Sequence, residues 1–258
     1  MSESQSAQPS PSPAEGGRPG LPHIDVSEYG GKKDGVRQCL DRRLFVQLLV
    51  FDGSCASHAE GLVEPLSKSL KARGVRFVIY ADLQSPRGLG LLTWSESPET
   101  FVRDVRGSLM EPAFKDLAPR HAFNMFGRTY STGHEPDLEH ALLRRSEENV
   151  LNSNYPWHIW YPLRRTGAFA KLDPHEQAII LREHATLGMA YGQQELAHDI
   201  RLACHGLDAD DNEFVIGLVG RELHPLSHLV QSMRKTKQTS EYITKMGPFF
   251  VGYVLSRS

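Results

Sequence analysis

The chain has 258 residues, a formal net charge of −2 and three cysteines. With 29 Lys and Arg against 31 Asp and Glu, it gives no electrostatic reason to expect nucleic acid or an anionic membrane as partner. No run of about 18 apolar residues is present, so no segment reads as a bilayer span.

Residues 1–22 are rich in Ser, Pro, Gln, Gly and Ala, with little apolar bulk, and read as a disordered tail. No basic stretch followed by an apolar one precedes them, so no secretory signal is read. Cys39, Cys55 and Cys204 show no paired spacing and fit reduced, structural thiols, so a cytoplasmic protein is expected.

Residues 40–130 read as a first structural half. Leu44 to Phe51 is an unbroken apolar run, hence a buried strand. A helix follows near Ser57–Ala72, with Pro65 kinking it or marking its start. Val75–Leu83 and Gly88–Ser95 are strands joined by a Ser-Pro-Arg-Gly turn, Glu99–Met110 is a helix, and Phe123–Phe126 closes the half as a strand. Residues 131–156, polar and charged, read as a connection.

Residues 157–258 repeat the order. Trp157–Pro162 is a strand, Pro174–Gly188 a helix, Asp199–His205 and Glu213–Val219 strands, Pro225–Arg234 a helix, and Pro248–Leu255 the last strand. Two β-α-β-β-α-β units predict an α+β fold of two ferredoxin-like halves. Each half is an antiparallel sheet with helices on one face, and the two free apolar faces pack together. Such an architecture hosts enzymes, ligand carriers and assembly modules alike.

One helix of the second half carries an anomaly. Asp173 can cap it, Pro174 suits its first position, and Glu176 completes the start signal. From there Gln177, Ile180, Leu181, His184, Leu187 and Gly188 share one stripe, and His184 sits in the middle of that core-facing side. On residues alone, a histidine there is ordinarily a hydrogen-bonded core residue.

Several short motifs alter that reading by their order and spacing. They are Glu183-His184, Gly188, Tyr191, Gly206-Leu207-Asp208, Glu213-Phe214-Val215, Leu229-Val230, Met233-Arg234, Gly247-Pro248 and Val251-Gly252. Together they resemble the chlorite dismutase family of haem proteins, which includes chlorite dismutases and coproheme decarboxylases. The likeness covers residues 155–255 well, and the first half mainly by architecture.

The resemblance implies that His184 is the proximal ligand of a haem iron, the haem being iron coproporphyrin or haem b. A neutral imidazole suits that role when its other nitrogen is held by a hydrogen bond. Tyr161-Pro162-Leu163-Arg164-Arg165 is similar to the Tyr-Pro-Met motif of the decarboxylases. That likeness implies that Tyr161 lies by a propionate and carries the radical that starts decarboxylation. A lysine of the motif is replaced by Arg165, which can still clamp a carboxylate but is a poorer proton donor.

The distal arginine of chlorite dismutases aligns with Asp199 counting back from Gly206, and with Ala197 counting forward from His184. Arg201 lies on the same strand face as Asp199, so a slip of two residues would bring it inward. Asp199 would repel an anion unless protonated, which counts against chlorite as substrate, and its position allows a distal acid–base role. A propionate-binding arginine aligns with Glu241, a departure that Arg164, Arg165, Lys235 or Lys237 would have to offset.

Other signals carry less. His224 and His228 stand one helical turn apart without a third zinc ligand nearby. Asp208, Asp210 and Asp211 read as a turn and not as a calcium loop. Gly88-Leu89-Gly90 lacks the context of a nucleotide site. Trp157 and Trp160 lie near enough to Tyr161 in sequence to line a haem edge.

The expectation is therefore a haem-dependent oxidoreductase, first of all a coproheme decarboxylase driven by hydrogen peroxide, in a homopentamer as the resemblance implies. The alternatives are a chlorite dismutase or general haem peroxidase, and a non-enzymatic haem-binding or sensing protein. In a haem-free assembly module, His184 would be a core residue and nothing more.

Overall fold

The computed structural model of the protein describes residues 21–53 and 59–258. Cys55, the start of the helix expected from Ser57, and most of the tail expected at 1–22 lie outside the described residues. The chain opens with a hairpin of β1 (Glu28–Lys33) and β2 (Val36–Leu40) that the sequence reading did not anticipate.

The first repeat comprises β3 (Phe45–Asp52), α1 (Ala59–Ala72), β4 (Arg76–Asp82) and β5 (Gly88–Ser95). It continues through a π-turned segment Phe101–Val105 into α2 (Arg106–Leu109), then the short β6 (Ala118–Pro119) and β7 (Met125–Arg128). The connection is not structureless: it holds the turn His140–Arg144 and α3 (Arg145–Leu151).

The second repeat comprises β8 (Trp157–Arg165), α4 (Gly167–Ala170), α5 (Pro174–Gln193), β9 (His198–Ala203) and β10 (Phe214–Gly220). It ends with α6 (Leu223–Met233), β11 (Ile243–Met246) and β12 (Phe250–Arg257).

Strand order within the repeats is β7-β3-β5-β4 and β12-β8-β10-β9, all antiparallel. Both are the ferredoxin-like order. The edges then join, β4 to β12 along most of their length and β7 to β9 through Arg128 and Ala203. The free faces do meet, but by closing a barrel and not as two stacked sheets. Closure pairs edge strands that would otherwise be left with open hydrogen-bonding groups.

Alternation along each strand divides the core in three. Val46, Leu48, Val50, Tyr80, Trp160, Ile200, Val215 and Phe250 fill the barrel. Phe51, Leu66, Leu70, Phe77 and Phe101 lie under the helices of the first repeat. Ile159, Tyr161, Leu218, Leu226 and Leu229 lie under α5 and α6. Strands buried on both faces explain the unbroken apolar runs in the sequence.

Trp160 belongs to the barrel interior and is 1% exposed, so it lines the core and not the helix side where Tyr161 lies. Gly217 makes room for it: a Cβ there would come within 2.5 Å of the Trp160 ring. Gly217→Ala is expected to cost about 1–3 kcal/mol, the range for overpacking a filled core. A urea titration checks this, and wild-type stability in the variant would contradict it.

Candidate functional site

The site is built between α5 and the outer face of β8, β9 and β10. Asp173 caps α5, its carboxylate accepting from His175 N at 2.8 Å, and Pro174 occupies the first turn. The stripe that follows is only partly sealed. Ile180 is buried, Gln177, His184, Leu187 and Gly188 are half-buried, and Leu181 is exposed. His184 is thus less enclosed than a core-facing position predicts.

His184 Nδ1 lies 3.3 Å from Thr236 Oγ1, contributed by the segment after α6. Thr236 donates its hydroxyl proton to Met233 O at 2.8 Å, so toward His184 its oxygen accepts. Nδ1 therefore carries the proton, and the Nε2 lone pair is available to a metal. Burial lowers the His184 pKa, Arg201 lowers it further, and Asp199 and Glu183 oppose weakly. The imidazole is neutral at pH 7.

The opposite wall is a sheet face. Asp199 pairs across β10 with Leu218, and Arg201 with Ile216; the same two β10 residues pair with Ile159 and Tyr161 of β8. Asp199, Arg201 and Tyr161 therefore share the face turned toward α5. Asp199 is clamped by two guanidinium groups, Arg201 Nε at 3.0 Å and Arg145 Nη2 at 2.6 Å. Burial pushes its carboxyl up, but Arg201 and Arg145 outweigh that and hold it below the ordinary range. Asp199 is thus a carboxylate with no proton to donate near neutrality.

Tyr161 is 5% exposed and stacks on Phe249 at 4.6 Å between ring centres. Burial raises its pKa, and Asp199 adds to the rise, so it is a phenol. Arg165 does not reach free into the site. Its guanidinium grips Glu213 through two hydrogen bonds, of 2.8 and 3.1 Å, its backbone N–H adds a third, and the guanidinium lies between the rings of Phe169 and Phe214. Burial pushes Glu213 up, and Arg165 overrides this, so the pair is ionised.

Three further residues escaped sequence reasoning because they come from other segments: Arg145 from α3, Thr236, and Tyr130, whose ring packs on Phe214 at 5.6 Å. Glu241 lies exposed in the turn after α6. His224 and His228 stand 6.0 Å apart, with His228 Nδ1 engaged by the Tyr191 hydroxyl. Among the described residues no cluster of three His, Cys, Asp or Glu could hold a metal by itself. Asp208 ties its own loop by accepting from Asp210 N and Asn212 Nδ2, which makes it a turn. No described helix is long and apolar enough to cross a membrane.

Residues 129–255, which hold His184, Thr236 and the sheet face opposite, match the family model described as chlorite dismutase. The chain belongs to the chlorite dismutase family. Solved structures of similar fold include a heme-binding protein from Thermus thermophilus, 18% identical with a TM-score of 0.66, covering 83% of this chain and 92% of that one. Another is chlorite dismutase from Candidatus Nitrospira defluvii in complex with imidazole, 12% identical with a TM-score of 0.63, covering 84% and 93%. Comparison with curated proteins finds no match. At these identities the solved structures speak to the fold alone.

Proposed function

We propose that this chlorite dismutase family chain binds an iron porphyrin between α5 and the face of β8–β10, through His184 Nε2, and decarboxylates iron coproporphyrin with hydrogen peroxide. The observation that carries the reading is the setting of His184: a half-buried imidazole whose Nδ1 faces a Thr236 hydroxyl already donating to Met233 O, so that Nδ1 donates in turn and the Nε2 lone pair is left for a metal. That donor chemistry fits a haem iron. When bound, the iron porphyrin would supply one-electron oxidising power drawn from peroxide.

The residues then divide the work. Tyr161 keeps its proton at Oη near neutrality, so it gives up an electron and a proton together and can then take hydrogen from a nearby propionate. The Phe169 and Phe214 rings hold the Arg165 guanidinium in place. To anchor a propionate, Arg165 must exchange the Glu213 carboxylate for it, one bidentate partner for another. Asp199, ionised between its arginines, would fix where Arg145 and Arg201 sit and would not act as a proton source.

A second reading rests on Arg201. Alignment left the wall opposite His184 without an arginine, whereas Arg201 stands on that wall in the same cross-strand row as Tyr161. A cation there favours a small anion such as chlorite.

Incubation with iron coproporphyrin III and peroxide, followed by porphyrin mass, tests the first reading. Stepwise loss of carboxyl mass is expected, and Tyr161→Phe should drop it to background while the bound spectrum is kept. Unchanged mass with a stable spectrum would leave a binding protein, and oxygen release from chlorite would favour the second reading.

A further inference from the structure

The barrel interior holds a polar pair that the site does not use. Tyr80 on β4 and His158 on β8 are each 0% exposed, among Val, Leu and Phe side chains. The Tyr80 hydroxyl lies 2.8 Å from His158 Nδ1, and His158 Nε2 lies 3.1 Å from Tyr155 O. A carbonyl only accepts, so Nε2 carries the proton and Nδ1 receives the Tyr80 O–H. The direction of the hydrogen bond is thereby fixed.

The strand between them permits this contact. β12 separates β4 from β8, with Gly252 opposite His158. A side chain at Gly252 would come within 2.9 Å of Tyr80 Cβ. Trp160 completes the cluster. It lies on the same face as His158, with its buried indole N–H close to the Tyr80 hydroxyl. Its peptide neighbour is Tyr161, on the opposite face, so the cluster meets the site through one backbone link.

Burial alone does not call for such a pair. Apolar residues of similar size would fill a barrel without desolvating a hydroxyl and an imidazole. We propose that Tyr80 and His158 form a redox-active pair, wired through Trp160 to Tyr161, that takes up oxidising equivalents escaping from the site. In the step, Tyr80 loses one electron to an oxidised Trp160 indole, which returns to its neutral form. The Tyr80 O–H bond breaks and an N–H bond forms at His158 Nδ1, leaving a neutral phenoxyl and an imidazolium. Trp160 in turn gives its electron to the Tyr161 phenoxyl, which takes up a proton from the site and returns to the phenol. The ultimate oxidant is hydrogen peroxide, which accepts two such electrons and two protons to become water.

Burial blocks the alternative route through a phenolate by raising the Tyr80 pKa. The same burial makes His158 a weak base, pushed down to about 3, but an oxidised phenol is a far stronger acid than any imidazolium. The proton therefore moves with the electron. The proposal rests on the iron-porphyrin reading only for where the oxidant arises, and the test supplies its own.

Pulse radiolysis of the full chain without porphyrin, using azide radicals that oxidise tryptophan, follows the indolyl signal as it converts to phenoxyl. Tyr80→Phe is expected to lose most of the phenoxyl yield. Tyr253→Phe, which removes the hydroxyl of the ring facing Trp157 at 5.0 Å, should keep most of it. Wild-type yield in Tyr80→Phe, or loss in Tyr253→Phe instead, overturns the proposal. Freeze-quenched magnetic resonance of the wild-type radical gives a check without any variant: an exchangeable proton coupled from an imidazole supports the pair, and its absence refutes it.

Discussion

His184→Ala should abolish the spectrum of histidine-ligated iron porphyrin while leaving the chain folded. The expectation follows from three features of the same position. The side chain supplies the free lone pair at the site, from a nitrogen whose proton state Thr236 sets. It is half-buried, so its removal opens little core. Alanine is the best helix former, so α5 should not suffer. Thr236→Val leaves the ligand but frees its tautomer, and losing an outer partner of this kind costs about 10–100-fold in affinity. The order of affinities should therefore be wild type, then Thr236→Val, then His184→Ala, with added imidazole restoring a ligand in the last. Titration with iron porphyrin, read in the visible spectrum, gives all three. An unaltered spectrum in His184→Ala would remove the centre of the proposed function.

Much of the fold was legible because each repeat is written in local signals. Asp173 and Pro174 mark the start of α5, and Gly88–Ser95 carries its own strand pattern. Barrel closure was not legible: pairing of β4 with β12 joins residues as far apart in the chain as Asp82 and Gly252 and leaves no local trace. Nor was the direction of Trp160. In Trp157–Tyr161 nearly every position is apolar because both faces are buried, so period two cannot say which residue faces the helices.

The candidate site divides in the same way. His184 was visible as an imidazole on an apolar stripe, and the shared face of Asp199 and Arg201 followed from strand alternation. What each of them touches was not visible. Arg145 reaches Asp199 from the connection, Thr236 reaches His184 from beyond α6, and Glu213 occupies Arg165. These partners decide the chemistry. An aspartate that alone would repel anions becomes the negative centre of a net cationic cluster, and an arginine read as a propionate clamp starts out already clamped.

Acid should weaken the fold well before the carboxylates titrate, and His158 is the main cause. Its pKa is pushed down to about 3 by burial, with Arg257 adding to the fall and the Tyr155 carbonyl opposing it. Above pH 6.5 the histidine is neutral in both states and contributes no pH dependence. Below that, the unfolded chain takes up a proton that the native chain refuses until about pH 3, so stability falls as pH falls through that window. The slope is about 1.4 kcal/mol per pH unit for one proton, which makes a loss of about 2 kcal/mol by pH 5. His184, also shifted down, adds in the same direction. Asp199 and Glu213 add theirs only as the pH nears the ordinary carboxyl range of about 4. Urea unfolding at a series of pH values from 7 to 5 isolates the histidine share. His158→Gln supplies the control, since its amide can donate to Tyr155 O and accept from Tyr80 without titrating. The variant should lose most of the slope between pH 6.5 and 5. A variant that kept the wild-type slope would show that His158 is not the group refusing the proton.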